Sequence, residues 1–156
     1  MKLGDVIQKE RKLRGLSVEE VASRLGIPLE EYEQIEAGSS LAEGWGPKIL
    51  ANIAIKLHTP TSRLISKTGK ASDAAQETGQ CGKLIKMNRE NRQISLEEFA
   101  GQIEVPVSEL EQIERGESPM EKYGPLLLGF AEIIEQPIFN LFYPCGLPLD
   151  RLEDYP

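Results

Sequence analysis

Ile27-Pro28-Leu29-Glu30-Glu31-Tyr32-Glu33-Gln34-Ile35-Glu36-Ala37-Gly38 decides the fold, because it returns as Val105-Pro106-Val107-Ser108-Glu109-Leu110-Glu111-Gln112-Ile113-Glu114-Arg115-Gly116. In each copy the apolar residues fall at helical spacing (Leu29, Tyr32, Ile35; Val107, Leu110, Ile113) and a glycine follows. Glycine is the usual residue just past a helix, where positive φ costs it little. Each copy therefore predicts one short helix with a sharp end.

Working outward, a shift of 78 residues aligns Gly4–Pro47 with Gly82–Pro125 without a gap, and 19 of the 44 pairs are identical. Gly4/Gly82, Arg11/Arg89, Arg14/Arg92, Ser17/Ser95, Ala22/Ala100, Glu36/Glu114 and Pro47/Pro125 are among them. Past that point a shift of 77 sets Ile53-Ala54 on Phe130-Ala131 and Pro60 on Pro137. The chain is one unit used twice: residues 1–66, a linker 67–80, residues 81–143, and a proline-rich tail 144–156. Units of that size can fold alone, though marginally, so two small cores are expected.

Each unit predicts five helices. Leu3–Arg14 is the first, with Leu3, Val6, Ile7 and Leu13 as its inner positions. Ser17-Val18-Glu19-Glu20 is a capping box that opens the second, and Ser95 and Glu98 repeat it. Gly26 makes the turn into the third helix. Pro47 and Pro125 stand where a fourth helix starts, since a missing N–H is no loss there. Thr59-Pro60 begins a short fifth helix. The segment 67–80 (KTGKASDAAQETGQ) is small, polar and without apolar period, as a linker is. The tail's Leu147, Leu149 and Leu152 are too apolar for open solvent and point to packing on the second unit or a partner.

Composition narrows the function. With 40% hydrophobic and 28% charged residues the chain is globular, and no apolar run reaches the roughly 20 residues of a membrane span. The start Met1-Lys2-Leu3-Gly4-Asp5 has no apolar leader, so a cytoplasmic protein is expected. Cys81 and Cys145 lie far apart and read as reduced thiols, and His58 is the only histidine. No metal set, phosphate loop, nucleophile elbow or catalytic group of residues is visible, so neither cofactor nor enzyme activity is expected.

Five short helices, a Ser-capped second helix, a Gly turn and a third helix ending in Gln-Ile-Glu-x-Gly resemble the Cro and phage-repressor helix-turn-helix, the XRE family. The resemblance covers both units and implies an all-α fold of two lambda-repressor-like five-helix domains in tandem. It implies double-stranded DNA as partner, in a transcriptional regulator, with the third helix entering the major groove. By position it pairs Arg11 with Glu36 and Arg89 with Glu114. A glutamate that closes a helix opposes the macrodipole, so a nearby cation is expected on physical grounds too. Base-reading positions fall on Leu29, Glu30, Glu33 and Gln34, and on Val107, Ser108, Glu111 and Gln112. Gln34 and Gln112 are the strongest readers, because a carboxamide bonds adenine N6 and N7 together. Arg115 and Lys122 stand near the implied DNA backbone.

Departures from the family are plain. Pro28 and Pro106 replace the hydroxyl cap that meets a phosphate, and the first unit's loop Ser39–Gly46 holds no cation. Residues 1–66 carry nine basic and nine acidic side chains, 79–143 carry six and eleven, and the whole chain is −7. DNA binding ordinarily wants a basic face. Lys83, Lys86, Arg89 and Arg92 recur along one helix, either as a solvated stripe or as phosphate contacts. Trp45 and Tyr123 share one repeat position, as a plug over the core or as a contact with the sister unit or a partner. The alternative function is a protein-interaction module that keeps this fold and binds another regulator through its acidic helices.

Overall fold

A computed structural model describes residues 2–40 and 47–143. Among them the chain is all-helical, with ten α-helices, one 3-10 turn and no strand. The first repeat supplies α1 (Leu3–Leu13), α2 (Val18–Leu25), α3 (Leu29–Ala37), α4 (Pro47–Leu57) and α5 (Thr61–Ile65). The second supplies α6 (Gln80–Asn91), α7 (Leu96–Gln102), α8 (Val107–Glu114), α9 (Met120–Ile133) and α10 (Phe139–Phe142). Trp45, the loop residues 41–46, Cys145 and the tail leucines lie outside the described residues.

Local chemistry sets the helix ends. The Ser17 hydroxyl accepts from the Glu20 N–H at 3.0 Å and Ser95 from Glu98 at 3.1 Å. The reciprocal half of the expected box differs: the Glu20 carboxylate takes the Ser17 hydroxyl, at 3.3 Å, rather than the Ser17 N–H. The backbone repeats even where the residue does not. Positive φ recurs at Gly15 and Gln93, at Gly26 and Glu104, at Gly38 and Gly116, and at His58 and Glu135. His58 thus ends α4 in the left-handed conformation, exposed to solvent. Two helix readings change. Leu13 is 67% exposed instead of inward, and α9 starts ahead of Pro125, which lies inside it.

The buried apolar residues form one cluster that runs from Leu3 through Ile85 to Phe142, not two. The reason is an exchange of contacts between the repeats. α1 packs on α10 of the other repeat, and α6 packs on α5. Four further pairs also cross between the repeats: α4 with α10, α9 with α5, α9 with α2, and α4 with α6. Arginines at equivalent positions tie the two halves. Arg14 donates through Nε, at 2.9 Å, and Nη2 to the carbonyl of Ile134 at the end of α9. Arg92 donates to Thr59 Oγ1 just past α4, at 3.1 Å. A cation at a helix C-terminus meets the negative end of its dipole. Arg14→Ala should therefore lower stability by about 1–3 kcal/mol, the cost of a lost charged hydrogen bond and an orphaned carbonyl. An unchanged denaturation midpoint would show that this tie carries nothing.

The segment between the repeats is folded as well. It holds the 3-10 turn Ala71–Asp73, which packs on α9, and the Ala71 N–H donates to Glu132 Oε2 at 2.5 Å. Ala74 is buried, and the buried Gln80 side chain donates to the Asp73 carbonyl at 2.7 Å. The relative placement of the repeats is thus set by packing and not by the reach of an extended linker.

Candidate nucleic-acid interface

α3 and α8 sit alike in the two repeats. Each opens after a proline with extended backbone and no side-chain cap, Pro28 or Pro106. Each buries one face: Tyr32 and Ile35 on α3, Leu110, Ile113 and Glu114 on α8. At its end, each is locked to the first helix of its own repeat. Arg89 donates through Nε to Glu114 Oε2 at 2.7 Å and through Nη2 to Oε1 at 2.9 Å, a bidentate pair. Its Nη1 reaches the Ile94 carbonyl at 2.8 Å. Arg11 repeats the pattern, with Glu36 Oε2 at 3.2 Å and the Leu16 carbonyl at 2.9 Å. These side chains are 6–11% exposed, which makes the pairs structural and keeps the arginines from solvent. Hydrogen bonding to the glutamate raises each arginine's pKa, so both stay charged. Tyr32 adds a third donor to Glu36, at 2.7 Å, where the second repeat has Leu110. Burial and that carboxylate push the Tyr32 phenol well above its ordinary range.

A close backbone approach completes the lock. A Cβ on Gly82 would lie 2.8 Å from the Gly116 nitrogen and nearer still to the Ile113 carbonyl oxygen. One on Gly4 would lie 2.6 Å from the Ile35 oxygen and nearer to that of Glu36. Only glycine fits there. The identity of Gly4 and Gly82 across the repeat was the signal for this role.

The outward faces carry the expected readers. Leu29, Glu30, Glu33 and Gln34 are exposed on α3, and Ser108, Glu111 and Gln112 are exposed on α8. Val107 is half-buried against the core, which takes it partly out of that row. The two faces have different surroundings. α3 borders an open cleft of about 450 Å³ whose far wall is Lys122 and Tyr123 of α9, in the other repeat. The Lys122 ammonium lies 3.0 Å from Glu31 and 5.1 Å from the centre of the Tyr123 ring. Glu31 raises the Lys122 pKa. Tyr123 is buried in the common core cluster and lines this cleft, so both the core-plug reading and the sister-unit alternative describe its place.

The cations expected near phosphates are otherwise engaged. Lys122 crosses to Glu31, and Arg115 pairs with Glu117 at 3.1 Å and approaches Glu111 at 3.9 Å. Exposed pairs of this kind hold about 0–1 kcal/mol each, so a phosphate can displace them. The stripe along α6 also divides. Arg89 and Arg92 are consumed in contacts, and Lys83 and Lys86 remain on the surface.

Among the described residues no cluster of His, Cys, Asp or Glu could hold a metal ion, and no helix is long and apolar enough to cross a membrane. Cys81 is buried, and burial pushes its thiol pKa up. Glu121 at the start of α9 accepts from the Cys81 and Gly82 N–H groups at 3.1 and 3.0 Å, closing the N-terminus of α6. No protein-family model matches the chain, and no curated protein or solved structure matches it.

Proposed function

We propose that the chain is a cytoplasmic, non-enzymatic DNA-binding regulator, built from two helix-turn-helix repeats of the Cro and phage-repressor type. The observation that carries the reading is the recurring third helix: bolted to its neighbour by a buried Arg–Glu pair, it turns a row of polar side chains outward in both repeats. A rigid helix with one face free is what groove reading needs. The second repeat is the principal reader. Ser108 stands where the first repeat has Glu30, and α3 faces the α9 wall. Acidic Glu30 can only accept from cytosine N4 and repels phosphates.

Sequences selected from a random duplex pool should share one preferred site. Gln112→Ala should cost about 1–3 kcal/mol at a single base of that site. Lys122→Ala should weaken all sequences alike, by at most a few-fold because Glu31 already holds the lysine. Equal losses from Gln34→Ala and Gln112→Ala would overturn the ranking of the repeats.

A specific observation favours a second reading, a protein partner bound through the acidic helices. Glu30, Glu33, Glu109 and Glu111 line the third helices, and both nearby cations are already paired with carboxylates. Under that reading no sequence emerges from the pool, and charge reversal of those four residues abolishes partner capture.

A further inference from the structure

The acidic average of the chain hides a segregated charge. Residues 47–72 hold Lys48, Lys56, Arg63, Lys67 and Lys70 and no acidic residue, and all five cations are exposed. Folding brings part of this set against the first helix of the second repeat, because α5 packs on α6. Glu77 marks the junction: its carboxylate lies 2.6 Å from Lys67 Nζ and 3.5 Å from Lys83 Nζ. A lysine of the connecting segment and one of the second repeat therefore flank one carboxylate, and they hold its pKa below the usual range. Lys86 lies one helical turn past Lys83. Arg63 reaches forward to the Lys67 carbonyl at 3.3 Å, and its side chain lies beside Gly69, which Lys70 follows. Counted together, Arg63, Lys67, Lys70, Lys83 and Lys86 stand against Asp73, Glu77, Glu121 and Glu132, a net charge of +1, and the two glutamates from α9 are tied up by backbone N–H groups.

This surface adjoins α8. Glu77 is two residues from Gly79, and a Cβ on Gly79 would lie 3.4 Å from the Gly116 Cα at the end of α8. We infer that Arg63, Lys67, Lys70, Lys83 and Lys86 form a docking surface for the phosphate backbone of duplex DNA, beside the reading helix of the second repeat. It rests on the DNA reading above and supplies the phosphate contacts that the proline-capped third helices lack. A membrane surface fits less well. Met87, 48% exposed, is the one large apolar side chain exposed on α6, and stable membrane attachment takes a broad apolar face beside the charge.

The test is the salt dependence of binding to a random-sequence duplex, read by fluorescence anisotropy on the whole chain. About two to four phosphate contacts from these five cations predict a slope of log K against log salt near −2 to −4. Lys67→Ala/Lys83→Ala/Lys86→Ala should make that slope shallower by about two to three and weaken binding roughly 100-fold at 0.1 M salt. All three residues are exposed, and an unaltered far-ultraviolet spectrum checks the fold. Glu77→Gln should tighten binding several-fold by releasing both lysines. Lys9→Ala/Lys12→Ala, on α1, should leave the slope alone. The proposal falls if the triple variant keeps the wild-type slope, if the α1 variant matches its loss, if the wild-type chain ignores duplex at low salt, or if phosphatidylserine vesicles bind it and duplex does not. A triple variant that loses the slope of a chain with no preferred sequence would support the surface and sink base reading by Gln112.

Discussion

Arg89→Ala should destabilise the chain by about 3–5 kcal/mol, the range expected when one partner of a buried ion pair is removed. Glu114 is 6% exposed at its side chain, and its two oxygens take Nε and Nη2 of Arg89. With Arg89 gone the carboxylate keeps its desolvation penalty without the charge that offset it, and the Ile94 carbonyl loses its donor. Arg11→Ala removes the same pair from the first repeat but should cost less, because the Tyr32 hydroxyl still donates to Glu36. Since both repeats contribute to one buried cluster, each variant should shift a single calorimetric transition, by about 2–4 °C per kcal/mol for a chain of this size. Replacing the second pair together, Arg89→Met with Glu114→Leu, should recover most of the loss, because two apolar groups of similar volume leave no orphaned charge. A melt unaffected by Arg89→Ala would mean that the pair is hydrated and holds nothing.

Helix positions were legible because amphipathic spacing, serine caps and terminal glycines are local signals that the backbone obeys. The Arg–Glu pairs could be expected too, from the family resemblance and because a glutamate that closes a helix opposes its macrodipole and calls for a cation. What could not be seen was how the repeats meet. Complete-looking units suggest two cores, yet α5 and α10 have nothing in their own spacing to say that they cover the first helix of the other repeat. Similarly, 67–80 has a linker's composition, and only tertiary contact, through Ala71, Ala74 and Gln80, holds it down. At the candidate interface the outward rows on α3 and α8 follow from helical period. The Lys122–Glu31 contact and the Lys67–Glu77–Lys83 junction do not, because their members are far apart in sequence and net charge averages over both. Arg89 and Arg92 look like part of a basic stripe until burial and partners remove them from it.

Gly82→Ala should also be strongly destabilising, by about 2–4 kcal/mol, and its sign is what makes it informative. Inside a helix, alanine in place of glycine ordinarily gains about 0.5–1 kcal/mol, because the unfolded chain loses freedom. At Gly82 that gain meets backbone, not a side chain that can swing away: the new methyl would sit 2.8 Å from the Gly116 nitrogen and 2.9 Å from the Glu114 oxygen. To admit it, α6 must separate from the end of α8. The separation would stretch the Arg89–Glu114 pair and the Glu121 bonds to the Cys81 and Gly82 N–H groups at once. Gly101 provides the opposite case within the same repeat, since it lies in α7 with nothing within 4 Å of its Cβ position. Gly101→Ala should therefore raise the melting temperature while Gly82→Ala lowers it. If the locked third helix is also the reading element, Gly82→Ala should blur base preference at temperatures where the chain is still folded. A Gly82→Ala chain as stable as the parent would show that α6 and α8 stand farther apart, and that the glycine shared with position 4 is there for another reason.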